Sequence, residues 1–127
     1  MEIDLSGKTI LVVEDSDVNI MFFQSAFKRT GASVIVANDG DEAIEMVKQN
    51  PEISLILMDI KMPKRDGLSA TKEIKKISPE IPVIIQTAYI LNYDETKSYA
   101  AGCDYFLQKP IRLPELYDVI SKMISDK

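Results

Sequence analysis

Five short apolar runs alternate along this chain with five stretches of helical character, and that alternation constrains the fold more than any other feature of the sequence. The runs are Thr9 to Val13, Ser33 to Ala37, Ile53 to Met58, Val83 to Gln86 and Asp104 to Leu107. Each has the length of a strand, and the near-continuous apolarity of most of them is that of strands covered on both faces. Strands that alternate with helices form a parallel sheet with helices on both sides, joined by right-handed crossovers. The predicted class is therefore α/β, a doubly wound five-stranded parallel sheet with five helices. At 127 residues, 46% of them hydrophobic, the chain can bury one core without metals or disulfides, and a single domain over 1–127 is the economical count.

The helices are bounded by residues that start and stop them. Ser16 or Asp17 can cap a first helix in which Val18, Met21, Phe22, Ala26 and Phe27 recur at helical spacing, with Gly31 placed to end it. Asn38, Asp39 and Gly40 make a turn into a second helix with Ala43, Ile44 and Val47 on its inner face, which stops before Pro51. Leu68, Thr71, Ile74 and Ile77 mark a third helix, opposite a face of Lys72, Glu73, Lys75 and Lys76. Asn92 to Ala101 is weakly amphipathic and ends at Gly102. Pro114 suits the first turn of a last helix with Leu116, Val119, Ile120 and Met123 as its buried stripe.

The polar residues at the ends of the runs carry the chemistry. Glu14 and Asp15 follow the first strand, Asp59 the third, Thr87 the fourth and Lys109 the fifth, so a parallel sheet brings all five to one edge, where ligands of such sheets bind. The interval Ile60 to Gly67 after Asp59 reads as a loop between a proline and a glycine. Two carboxylates at ~4 Å and an effective dielectric of ~20 repel by about 4 kcal/mol, so three acids demand compensating positive charge. Lys109 supplies one. Oxygen-only ligands suit a hard divalent cation, Mg²⁺ in particular. A carboxylate facing Mg²⁺, an ammonium and a hydroxyl is suited to accept a phosphoryl group, with Asp59 as the nucleophile.

Composition removes other chemistries. With no histidine, a zinc site, a histidine-based triad and a phosphohistidine within the chain are excluded. Cys103 is the only cysteine, so no internal disulfide forms and a reducing compartment, the cytoplasm, is expected. A net charge of -5 argues against direct nucleic-acid binding. No window approaches the ~20 apolar residues of a membrane helix, so neither membrane insertion nor a signal peptide is expected.

The residues Val12, Val13, Glu14 and Asp15, the block Met58 to Gly67 reading MDIKMPKRDG, Thr87 with Ala88, and Lys109 with Pro110 resemble the receiver domain of two-component response regulators. The resemblance spans nearly the whole chain, with the motifs in order at the predicted strand ends. It implies a flavodoxin-like receiver fold with strand order 2-1-3-4-5, and a switch that takes a phosphoryl group from a phosphohistidine onto Asp59. By the same carry-over Glu14 and Asp15 are acidic Mg²⁺ residues, joined at the metal by Asp59 and the Lys61 main-chain carbonyl. Thr87 is then the hydroxyl that meets the phosphoryl group, and Lys109 is its ion-pair partner. The Lys109–Pro110 peptide would be cis. Phe106 falls at the family's switch aromatic, with Tyr105 beside it. Lys61 and Tyr89, two places beyond Asp59 and Thr87, stand where the family varies. Neither offers the amide or acid that would hold a hydrolytic water, which implies a long-lived phosphorylated form.

The implied partners are a histidine kinase or histidine phosphotransfer domain, and a downstream protein meeting the Asn92 to Leu116 face. The opening Leu5 to Lys8 and the stretch Val13 to Asn19 are similar to receivers joined to hybrid sensor kinases, whose parent protein could itself be a histidine kinase. The chain itself is expected to be no enzyme beyond self-phosphotransfer and slow self-dephosphorylation. The alternative is a Mg²⁺-dependent phosphohydrolase with an aspartate nucleophile, but Ile60 and Lys61 follow Asp59 where such chemistry wants a second acid. A nucleotide or flavin binder is disfavoured because no glycine-rich phosphate loop follows the first strand.

Overall fold

Strand β1 (Thr9–Val13) lies inside the sheet, paired in parallel with β2 (Ser33–Ala37) on one side and β3 (Leu55–Asp59) on the other. Beyond β3 follow β4 (Val83–Thr87) and then β5 (Tyr105–Gln108), giving the order β2-β1-β3-β4-β5 with every pairing parallel. The structure is a computed structural model and describes residues 3–87 and 94–125. Its helices are α1 (Asp17–Lys28), α2 (Gly40–Gln49), α3 (Gly67–Ile77), α4 (Asp94–Ala101) and α5 (Leu113–Ser125). The strand order and alternation are those expected.

Side chains alternate across each strand, so one run of apolar residues feeds two cores. Val12, Leu57, Ile84 and Leu107 meet Phe23 and Phe27 of α1 and Leu116 and Ile120 of α5 on one face. Val13, Met58, Val83 and Ile85 meet Ala43 and Val47 of α2 and Ala70 and Ile74 of α3 on the other. Fully burying such a side chain is worth ~1.5 to 3 kcal/mol, which is why β1, β3 and β4 tolerate almost no polar residue before their last positions.

The helix starts are fixed by side-chain caps worth ~1 kcal/mol each. Of the two candidates for α1, Ser16 is the cap, its Oγ accepting the Asn19 N–H, while Asp17 lies in the first turn. Asp39 and Asp66 cap α2 and α3 by accepting the Glu42 and Ser69 N–H groups, each at 2.8 Å.

Several boundaries and faces differ from the sequence expectation. The third strand starts at Leu55 and includes Asp59, because Ile53 closes a turn onto the Asn50 carbonyl instead of joining the ladder. The fourth extends to Thr87, and the fifth runs from Tyr105 to Gln108. Asp104 stays outside β5 with its carboxylate bound to the Lys75 ammonium at 2.7 Å and the Val83 N–H at 2.8 Å. On α1 the buried residues are Ile20, Phe23, Ala26 and Phe27. Val18 and Met21 are exposed on the side of the helix away from the stripe that Phe23 and Phe27 define, and Phe22, about 100° round from Phe23, is exposed at its margin. Ile77 is exposed at the end of α3, while Ala70 near its start takes a place on the buried face. Asn92 and Tyr93, expected to open α4, lie outside the described residues.

The segment from β3 to α3 is fastened at close range. The Gly67 N–H donates to the Ile60 carbonyl at 2.9 Å, and the Gly40 N–H donates to the Arg65 carbonyl at 3.2 Å. The Arg65 guanidinium spans Asp41 of α2 and Ser69 of α3 at 2.7 and 2.9 Å. A Cβ on Gly67 would fall on the Asp59 carbonyl, so only glycine lets α3 begin this close to the end of β3.

Candidate functional site

From β1 the chain goes outward to β2 and then returns to β3 on the other side, so β1 and β3 are the neighbours at which the winding reverses. Crevices for ligands open at the carboxyl ends of such a pair. Here that crevice holds Glu14 and Asp15 after β1 and Asp59 as the last residue of β3. One carboxylate oxygen from each of the three lies within 4.8 Å of the others, with Glu14 and Asp59 buried and Asp15 exposed.

Glu14 is held from several directions. Its Oε1 accepts from the Lys109 ammonium at 2.9 Å and from the Gln86 amide at 3.3 Å, and its Oε2 accepts the Ser16 N–H at 3.3 Å. Burial pushes the Glu14 carboxyl upward, but the Lys109 ammonium, the Gln86 amide and the Ser16 N–H outweigh it and hold the group below its usual 4.5. Asp59 shows the opposite outcome. Its Oδ1 accepts the Ile60 N–H at 2.9 Å, yet burial and then the Glu14 charge, opposed by Lys109, push its carboxyl up to about 7. Two acids side by side are thus driven apart, one kept ionised by the lysine and the other poised near neutrality.

The remaining predicted residues surround this pair. Thr87 ends β4 fully buried, and its carbonyl accepts the Lys109 N–H at 2.8 Å. The Lys109–Pro110 peptide is cis, as the motif resemblance implies. Lys61 is exposed on the loop that leaves Asp59. Phe106 is half-buried on β5 opposite Ile85 and packs against the core beneath α2 and α3. Tyr89 lies outside the described residues.

Two features escaped the sequence reading. Gln86, which had passed as the end of an apolar strand, is fully buried, stands in register with Asp59, and reaches Glu14. Its Oε1 is buried without a hydrogen-bond partner among the described residues, an omission that ordinarily costs ~1 to 3 kcal/mol. The signal was a single amide in a run of Val83, Ile84 and Ile85. The second is a groove of about 480 Å³ lined by Asn19, Phe22, Phe23, Lys109, Pro110 and Ile111, beside the exposed Val18, Met21 and Phe22. It makes α1 an apolar margin of the crevice.

The donor set fits a hard divalent cation: three clustered carboxylates, of which Asp59 is the one raised toward neutrality, with the Lys109 ammonium paired to Glu14 beside them. Residues 10–121 match the family model described as the response regulator receiver domain. The chain is 32% identical over 121 residues to the polar-differentiation response regulator DivK of Brucella anthropi, covering 94% of this chain and 98% of that one. Among solved structures it is similar to the receiver domain of sensor histidine kinase PA1611 from Pseudomonas aeruginosa PAO1, which has a magnesium ion coordinated in its active-site cleft. That likeness has a TM-score of 0.87 and 32% identity over 94% of this chain and 99% of the other. A CheY-like receiver domain protein from Methanospirillum hungatei JF-1 aligns with a TM-score of 0.87 and 25% identity, over 94% of each chain.

Proposed function

Because this chain belongs to the response regulator receiver domain family, a class of phosphoacceptor signalling switches in two-component systems, we propose that Asp59 is its phosphoacceptor. What carries the assignment is the burial of Asp59 at the end of β3, between a carboxylate that raises its affinity for protons and an ammonium that opposes this. Such a group is a nucleophile held in a low-dielectric pocket beside positive charge. An Asp59 carboxylate oxygen forms a bond to phosphorus as the bond from phosphorus to the donor's imidazole nitrogen breaks, the electron pair staying on that nitrogen. The Thr87 hydroxyl donates to a phosphoryl oxygen, and the Lys109 ammonium pairs with another. Glu14, Asp15, Asp59 and the Lys61 main-chain carbonyl would hold Mg²⁺, which when bound supplies positive charge to the phosphoryl oxygens.

Phosphorylation replaces one carboxylate charge with close to two. Each new charge-assisted hydrogen bond is worth ~1.5 to 3 kcal/mol, and Thr87 and Lys109 together approach the ~5.5 kcal/mol that moves a switch from 1:99 to 99:1. Phe106 turns inward behind Thr87 as that contact forms. The readout for a downstream protein is the Asn92 to Leu116 face, where Tyr99 and Tyr105 are exposed. The phosphodonor is a histidine kinase or histidine phosphotransfer domain, and the exposed apolar residues of α1 beside the crevice support its docking there. Residues 1–127 act as one cytoplasmic receiver domain with no catalysis beyond its own phosphorylation and slow dephosphorylation. Among the described residues no helix is long and apolar enough to cross a membrane. Lys61 and Tyr89 lengthen the phosphorylated lifetime, since the Lys61 ammonium pairs with a phosphoryl oxygen and cannot accept a proton from water, and the Tyr89 ring can cover the approach.

Incubation with Mg²⁺ and a small acyl phosphate, followed by intact mass and peptide mapping, tests the assignment. One phosphoryl group accumulating on Asp59 is the expected result. Label on another residue, or sustained release of phosphate with no labelled protein, would overturn it, the latter in favour of a phosphohydrolase. In the same buffers Asp15→Asn should weaken Mg²⁺ binding by about tenfold or more, as loss of one ligand charge does at oxygen-ligated sites. Calorimetric titration showing an unchanged affinity would remove Asp15 from the metal site.

A further inference from the structure

Gln86 is the one strongly polar side chain in the interior of the Val83–Thr87 strand, and it faces the acidic crevice. It is fully buried and stands in register with Asp59 across the β3–β4 pairing. Its Nε2 donates to Glu14 Oε1, the same oxygen that takes the Lys109 ammonium. Its Oε1 is buried with no hydrogen-bond partner among the described residues. A buried acceptor left empty in a strand that could carry an apolar residue asks for a state in which the amide is needed.

Such a state arises if Lys109 pairs with a phosphoryl group on Asp59, as the reading above has it. The ammonium is then drawn from Glu14 Oε1, and a carboxylate only 1% exposed loses its strongest partner. Glu14 would still share the Mg²⁺ charge, but the buried oxygen that Lys109 leaves loses a hydrogen-bond donor, and an unpaired buried acceptor is costly unless another donor remains on it. We propose that Gln86 is a positioning residue for the phosphorylated state: its Nε2 keeps Glu14 hydrogen-bonded while Lys109 transfers to the phosphoryl group. Its Oε1 is a ready acceptor for one of the three ammonium protons as Lys109 moves. The inference rests on Asp59 being the phosphoacceptor; in the resting protein Gln86 shares Glu14 Oε1 with the Lys109 ammonium.

The test uses beryllofluoride with Mg²⁺ as the phosphoryl stand-in, on the wild-type chain and Gln86→Met. Without either ion the variant should melt close to wild type, since it loses the amide's 3.3 Å bond to Glu14 while the Lys109 ammonium stays on that oxygen at 2.9 Å and the empty acceptor is removed. Any loss of Mg²⁺ affinity through Glu14 should be smaller than the loss of beryllofluoride affinity measured at saturating Mg²⁺, which should be at least about tenfold. A side chain with a merely structural role would lower melting and weaken both ligands in parallel, and that result would overturn the inference. So would beryllofluoride binding equal to wild type. Should Gln86→Met fail to fold, the side-chain amide resonances of Gln86 in the wild-type chain decide the matter. They should shift and remain protected from exchange when beryllofluoride binds, and an unchanged amide would sink the idea. If the wild-type chain itself takes no beryllofluoride, the Asp59 assignment fails and the inference falls with it.

Discussion

Replacing Asp59 with asparagine is expected to abolish phosphorylation and, at the same time, to stabilise the metal-free protein. The first effect follows from loss of the nucleophilic oxygen, and labelling by the acyl phosphate should drop below detection. The second follows from the electrostatics of the resting site. The Asp59 carboxyl sits at about 7 in the folded protein against 3.8 when free. Between those values the native state holds a proton that the unfolded state has released, so stability falls as pH rises through the interval and levels off above about pH 7. At ~1.4 kcal/mol per pH unit the ionised group then costs on the order of 4 kcal/mol.

Asp59→Asn should therefore melt several degrees above wild type at pH 8 in the presence of a chelator, and the gap should close as the pH is lowered toward 4. Glu14, held below 4.5, works in the other direction: its contribution is present above that value and lost only as pH falls beneath it. Mg²⁺ should recover the deficit in wild type, by ~2.7 kcal/mol at a hundred times its dissociation constant, and do less for the variant. A gap between the two proteins that is independent of pH from 4 to 8 would show that burial and Glu14 do not raise Asp59.

Gly67→Ala is expected to be among the most damaging single-methyl additions in the chain. The new Cβ meets backbone, the carbonyl of Asp59, and cannot be relieved by turning a side chain. Either α3 retreats from β3, breaking the Gly67 to Ile60 hydrogen bond, or the end of β3 moves with Asp59 on it. Overpacking of this kind costs ~1 to 3 kcal/mol and more where backbone must shift, so about 3 kcal/mol or more is expected from urea unfolding. The fraction that folds should also label more slowly, since a ~1 Å displacement of a reacting group can cost on the order of a hundredfold. Gly7→Ala is the contrast. Its Cβ would meet nothing within 4 Å, and only the backbone angle of +81° opposes it, so ~1 kcal/mol with normal labelling is expected. Equal stability and labelling rates in Gly67→Ala and wild type would mean that the β3–α3 junction does not position Asp59.

What the sequence by itself determined is the part governed by local periodicity and chain order. The runs through Ile10 to Val13, Leu55 to Met58 and Val83 to Ile85 are apolar on both faces, and their short length and regular alternation with helical stretches make them strands of a covered parallel sheet. Their order of alternation with helices then sets where each strand ends. Glu14, Asp15, Asp59, Thr87 and Lys109 could be grouped without coordinates, because parallel strands all point their carboxyl ends one way. Tertiary structure alone decided the quantities that depend on distances between strands. That Lys109 rests on Glu14, and that Asp59 is the acid pushed toward neutrality, turn on gaps of a few ångströms across β1, β3 and β5. Phe22 and Phe23 are adjacent and equally apolar, yet one is exposed and the other buried, because the direction in which α1 docks is set by α5 and the sheet. Gln86 is the sharpest case: its spacing places it in a strand like its neighbours, and only the fold turns its amide onto the carboxylate of a residue 72 positions away.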